Sequence, residues 1–200
     1  MRIRHALRIA AVSTAAAGLA VLAASPSYAH GYTTAPTSRA EFCAQGAVSD
    51  CGEIQYEPQS VEAPKGFPVA GPSDGHICAG DHADFTQLDD PRGGTGWPVN
   101  HVTGGQSYTF QWHLTAQHRT TKWEYFITSD AYDPAKPLTR DMLEPQPFLT
   151  VDGGNAVPPT DVSQAGTMPG GKSGRQLILA VWTIADTANA FYQCSDVDFG

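Results

Sequence analysis

Only four cysteines stand in the 200 residues, and none of them is spaced as CxxC. That argues against a structural zinc site, which needs close ligand pairs. Charge is sparse and one-sided: 16% of residues are charged, with 12 Lys and Arg against 20 Asp and Glu, a formal net charge of −8. The shortage of basic residues makes nucleic acid and anionic membranes poor partners. The one long apolar run, Ile9 to Ala24, is too short and wrongly flanked for a membrane span, and nothing later qualifies. There is no internal repeat and no low-complexity linker. No pair of acids is set apart by its spacing, as the two carboxylates of a glycosidase would be.

What is present begins with a leader. Arg2, Arg4 and Arg8 precede the apolar run, and Ser27-Tyr28-Ala29 places small residues where a signal peptidase inspects them. Residues 1–29 are therefore expected to be a secretory signal peptide, with residues 30–200 as a single domain of an extracellular protein. Loss of the three leader arginines leaves nine basic against twenty acidic side chains, a net charge of −11. A neutral polysaccharide is compatible with that charge. Export also suits disulfides. The four cysteines allow three pairings; the expected pair is Cys43–Cys51 as a local clip and Cys78–Cys194 as a long staple.

From His30 to about Gly96 the chain is rich in Gly, Pro, Ser and Asp. It should be mostly loops with short helices or strands. Beyond it the pattern is β. Tyr108, Phe110, Trp112, Leu114 and Ala116 alternate with Thr109, Gln111, His113, Thr115 and Gln117, a period of two. Trp123, Tyr125 and Ile127 repeat the alternation. Leu177 to Trp182 is apolar on both faces and reads as a core strand, and Ala190 to Phe199 as a closing strand. The predicted fold is mainly β: an immunoglobulin-like or fibronectin-like antiparallel sandwich, with a large loop and short-helix region among its first strands.

Cleavage after Ala29 would expose His30 with a free α-amine. An N-terminal histidine offers two nitrogen ligands in one residue, the amine and the ring Nδ1. His118 ends the alternating strand and continues the inward parity of Ala116. The His30 amine, its Nδ1 and a His118 ring nitrogen make three nitrogen donors in a T, a set that favours Cu(II). His76, in the Asp74-Gly75-His76 loop, could reach the same side but is not taken as a ligand. His82, His101 and His113 read as exposed polar residues.

Ordered blocks extend this reading. His30-Gly31-Tyr32 and Pro36-Thr37-Ser38-Arg39 come first, followed by Gln55 to Glu62, Gly71 to Gly75, Leu114 to Thr121, Trp123 to Thr128 and Ile178 to Tyr192. Together they resemble the bacterial lytic polysaccharide monooxygenases of the chitin-active type, formerly called chitin-binding proteins. The compact loops are similar to those of small single-domain actinobacterial forms. The resemblance covers essentially all of the chain after the leader.

It implies one copper ion per chain, held by His30 and His118 as a histidine brace. It implies Phe191 at the axial position, Ala116 crowding the other axial side, and Glu62 as an acid near the metal. Tyr56, Glu57, Thr115, Asp186 and Asn189 match positions on a flat substrate face; Asp186 could instead be structural, because it follows a core strand. Cys43 and Cys51 fit the family's N-terminal clip. The second clip of many chitin-active members has no counterpart here, since Phe148 and Pro169 lie in regions without cysteine. The implied activity is copper-dependent cleavage of crystalline chitin by oxidation at C1, driven by an external electron donor with hydrogen peroxide or dioxygen. The expected enzyme is a secreted monomer. Two rivals differ in kind: a non-catalytic chitin-binding module and a secreted copper carrier.

Overall fold

Alternating apolar residues pleat Ser107–Ala116 into β4, whose Phe110, Trp112 and Leu114 turn inward and are fully buried. The computed structural model describes residues 29–200. The leader read in the sequence, with the event that would free His30, falls outside the described residues. β4 is the centre of a three-stranded sheet, between β1 (His30–Ala35) and β7 (Asp161–Thr167). The second sheet runs in the order β2 (Glu62–Pro64), β9 (Asn189–Asp198), β8 (Arg175–Ile184), β5 (Thr120–Ile127), β6 (Leu149–Ala156). The short β3 (Asn100–His101) pairs parallel to β9; the other pairings are antiparallel. The two sheets form an immunoglobulin-like β-sandwich.

Between the sheets lie Phe110, Trp112 and Leu114 from β4 and Tyr125, Ile178, Ala180, Trp182 and Phe191 from the larger sheet. The larger sheet is covered on its other face as well. There Phe126, Leu177, Leu179, Val181 and Tyr192 pack against Ile54, Val61, Ile77, Leu88 and Trp97 of the loop region. This second layer explains why β8 is apolar on both faces. It also corrects the alternation read at Trp123–Ile127: β5 lies between β6 and β8 under two layers, so Glu124 and Phe126 are buried too.

The loop region carries one short helix, α1 (Arg39–Ala44), and 3₁₀ turns at Gly52–Tyr56, Ala83–Leu88 and Arg92–Gly94. Ser38 caps α1, its hydroxyl accepting from the Glu41 N–H. Arg39 ties the layer to the sandwich. Its Nε donates to Asp196 on β9 at 2.7 Å and its Nη1 to the Leu88 carbonyl at 2.8 Å, and it lies over the Trp97 ring. Cys43 bonds to Cys51 and Cys78 to Cys194, the second closing a separation of 116 residues. Among the described residues no helix is long and apolar enough to cross a membrane.

Candidate metal centre and the surface around it

One end of the sandwich gathers the start of β1, the end of β4, and the facing parts of β2 and β9. His30 pairs with Ala116, and Glu62 pairs with Phe191. The Phe191 ring is fully buried, with its centroid 6.2 Å from that of His30 and 5.1 Å from that of Trp182. Gly31 lets the strand come this close. A Cβ there would stand 2.5 Å from Leu114 Cδ2 and 3.2 Å from Trp182 Cζ3. The Gly31 N–H donates to the Gln59 carbonyl at 3.1 Å, which draws the 56–59 segment alongside.

His118 stands two residues beyond the end of β4, in the connection to β5, with 25% of its side chain exposed. Thr120 fixes that connection: its hydroxyl donates to the His118 carbonyl at 3.0 Å and accepts from Trp182 Nε1 at 2.7 Å. The Ala185 N–H donates to the Arg119 carbonyl at 2.8 Å. His118 Nδ1 is enclosed 2.7 Å from Asp186 Oδ1, close enough for ion pairing but out of line for a hydrogen bond. Nδ1 is thus turned to a carboxylate, and Nε2 is the nitrogen left for another partner. Asp186 is half exposed, so the structure gives it a neighbour in the site rather than a place in the core.

Among the described residues no three His, Cys, Asp or Glu side chains converge as a metal cluster. Two imidazoles at one strand end complete a three-nitrogen set only if a backbone nitrogen joins them, and His30 is the residue that can supply it. The buried Phe191 ring and the Ala116 methyl offer no competing oxygen. The donor chemistry therefore fits a copper ion.

Glu62 is half-buried and accepts from Asn189 Nδ2 at 2.7 Å. Its carbonyl contacts His82 Nε2. Tyr56 is 75% exposed at the end of a 3₁₀ turn, and Glu57 follows as that turn's cap. Thr115 is exposed, with parity opposite to Ala116. The structure so joins His30, Ala116, Phe191, Glu62 and Asn189 directly, and His118 to Asp186; Tyr56 and Glu57 lie in the segment leading to Gln59, and Thr115 precedes Ala116 on β4. Thr120, Trp182 and His82 were not singled out from sequence. The Thr two residues after His118 was the available signal for the first.

Two histidines depart from expectation. His82 and His113 are half-buried and bonded, His82 to Glu62 and His113 to Asp161 at 2.7 Å, because β2 and β7 present them with acceptors. His101 is exposed. His76 does not join the metal centre. It lies 3.6 Å from Asp89 and lines a cleft of about 360 Å³ with Asp81, His82, Ala83 and Thr86. His82 also contacts the Glu62 carbonyl, which links that cleft to the centre.

The fold is a sandwich with two histidines, His30 and His118, near one end, and comparison with known proteins names its class. The family described as "Lytic polysaccharide mono-oxygenase, cellulose-degrading" matches residues 30–197. An AA10 family lytic polysaccharide monooxygenase C of Mycosarcoma maydis is 50% identical over 86% of this chain and 53% of its own length. A lytic chitin monooxygenase of Streptomyces ambofaciens is 42% identical over 98% of this chain and 99% of its own. Among solved structures, an AA10 lytic polysaccharide monooxygenase from Streptomyces lividans superposes with a TM-score of 0.83 at 52% identity, covering 85% of this chain and 100% of that one. A Bacillus amyloliquefaciens CBM33 in complex with Cu(I) gives 0.77 at 39% identity, over 84% and 99% of the two chains. This chain belongs to the lytic polysaccharide mono-oxygenase family, a family of oxidoreductases. It spans about half the length of the Mycosarcoma maydis relative, and 36% of a GlcNAc-binding protein A from Shewanella oneidensis.

Proposed function

We propose that the chain is a secreted copper-dependent lytic polysaccharide monooxygenase that cleaves crystalline chitin by oxidation at C1. The observation that carries this reading is the pairing of His30 with Ala116, one side of it closed by Phe191, with His118 in the next connection. Cleavage after Ala29 would turn the His30 amide into an amine, and the amine, its Nδ1 and His118 Nε2 would hold the metal. A copper ion held there would supply one-electron redox chemistry toward hydrogen peroxide or dioxygen, with electrons from an external donor.

The protein's own residues do the rest. The buried Phe191 ring beside His30 would keep water from the bound ion on its side, and the Ala116 methyl, paired with His30, would crowd it further. Asn189 holds Glu62 Oε1, leaving Oε2 to orient a small oxygen compound and to give or take its proton. A crystalline polymer cannot enter a pocket, so it meets a flat surface. Tyr56 stacks on a sugar face, while Glu57, Thr115, Asp186 and Asn189 bond to hydroxyl and acetamido groups. The product is a lactone that hydrates to an aldonic acid.

Support for chitin comes from the name of the full-length Streptomyces ambofaciens relative; the family description names cellulose instead. The test uses protein beginning at His30, loaded with copper, on β-chitin with ascorbate. Mass spectrometry should show chito-oligosaccharides ending in aldonic acids, absent without reductant and absent from a His118→Ala variant. Oxidised cello-oligosaccharides from cellulose, with none from chitin, would keep the chemistry and overturn the substrate. Chitin binding without oxidised products would leave a binding module, and copper binding without either a copper carrier.

A further inference from the structure

Three large hydrophobic side chains are exposed among the described residues: Tyr56 (75%), Val69 (97%) and Val157 (61%). Tyr56 belongs to the proposed substrate face. Val157 lies in the β6–β7 connection, which passes from one sheet to the other, and its placement is fixed from both sides. Ala156 pairs with Thr120, the residue that holds the His118 carbonyl. Three residues after Val157, the Thr160 carbonyl accepts from the Leu114 N–H at 2.7 Å, and its hydroxyl accepts from Gln117 Nε2 at 2.7 Å. Residues 157–160 therefore run beside residues 114–119, at the same end of the sandwich as His30 and His118. Pro158 and Pro159 stiffen the segment that carries the valine.

The order across this end follows from the sheet. The 56–59 segment lies along β1, β4 comes next, and the lead into β7 follows. Hydrogen-bonded strands are about 4.8 Å apart, so the Thr160 end of the Val157 connection lies roughly 10 Å from β1. The metal centre thus has an exposed apolar side chain on either flank, Tyr56 on one and Val157 on the other. Gln117 and Arg119, on either side of His118 in sequence, are both exposed, and Gln117 bonds to Thr160 of this connection. Val69 is differently placed. Arg140, from the β5–β6 connection, clamps its loop through the Pro68, Ala70 and Pro72 carbonyls, and Phe67 packs it against Phe126 and Tyr192.

Resting on the function proposed above, we propose that the polysaccharide face continues past His118 to Val157, whose isopropyl group packs on the apolar face of a sugar ring at the far side of the metal. The bound chain then crosses the strand ends from Tyr56 to Val157, held by an aromatic contact on one flank and an aliphatic one on the other. A single exposed valine is ordinary in itself. Its place on a stiff and pinned segment beside residues 114–119 is what assigns it.

The test is a binding isotherm on β-chitin with the copper-loaded protein beginning at His30, using Val157→Asp, Val157→Leu and Val69→Asp. Val157→Asp should weaken binding by about fivefold or more. Val157→Leu should retain it, and Val69→Asp, which adds the same charge elsewhere, should leave it unchanged. An unaltered Cu(II) electron paramagnetic resonance spectrum in Val157→Asp shows that fold and centre are intact. Equal binding by Val157→Asp and the unaltered protein would overturn the inference, as would an equal loss in Val69→Asp. If the unaltered protein itself does not bind chitin, the function on which the inference rests falls, and the inference with it.

Discussion

Gly31 shows how little room the metal end leaves. A methyl group there would meet Leu114 Cδ2 at 2.5 Å and the edge of Trp182, both in the packed core. Gly31→Ala is expected to cost about 1–3 kcal/mol and to shift His30, lowering both the thermal midpoint and the copper affinity in a titration. Phe191 fills the space between the His30 and Trp182 rings. Phe191→Ala should cost about 3–5 kcal/mol through the cavity it leaves. It should also let water approach the metal, so that the Cu(II) paramagnetic resonance spectrum changes; an unchanged spectrum would deny Phe191 its closing role. Asp89 is a third residue with a measurable signature. Burial pushes its carboxyl up to about 6 from 3.8, against the opposing pull of the Ala79 and Cys78 N–H groups, His76 and Arg39. The folded chain then binds this proton more tightly than the unfolded one, so its contribution to stability falls as pH rises from about 4 to 6. Asp89→Asn should remove that fall while keeping the bonds to Cys78 and Ala79, as thermal melts across this range would show.

The elements differ in how far the sequence discloses them. β4 and β8 were legible because one face, or both, is built of large apolar residues over a whole strand. β5 was half legible: its alternation predicts an exposed face, and only the loop layer above Phe126 explains why that face is buried. β2 was not legible. It has three residues, Glu62–Pro64, and forms because β9 offers an edge to pair with. The site divides in the same way. The residues near His30 and His118 were read through the family resemblance, and their contacts arise from pairings between distant strands. Thr120 and His82 act through backbone carbonyls, which leave little trace in residue type. α1 has an energetic role read from structure: Arg39, buried beside Asp196, joins it to β9. Arg39→Ala leaves that carboxylate with Arg175 alone and is expected to cost about 3–5 kcal/mol in denaturant unfolding.

At the scale of the whole molecule, two layers must stay in register for the centre to exist. Glu62 stands on the short edge strand β2 that the loop region lends to the larger sheet, while Phe191, His30 and His118 stand on or beside the long strands. The Cys78–Cys194 bond ties the two layers within the strand that carries Phe191. Closing so long a loop stabilises the fold by about 4–5 kcal/mol, more than the eight-residue clip at Cys43–Cys51. Replacing Cys78 and Cys194 together by serine should lower the urea midpoint more than replacing Cys43 and Cys51. The most direct measurement concerns the nitrogen that no side chain supplies. Copper binding is measured by calorimetric titration for protein beginning at His30 and for protein that retains Ala29. Tight one-to-one binding by the first, and a loss of at least about a hundredfold in the second, is the expected result. Equal affinity in the two proteins would contradict a metal centre built on the His30 amine.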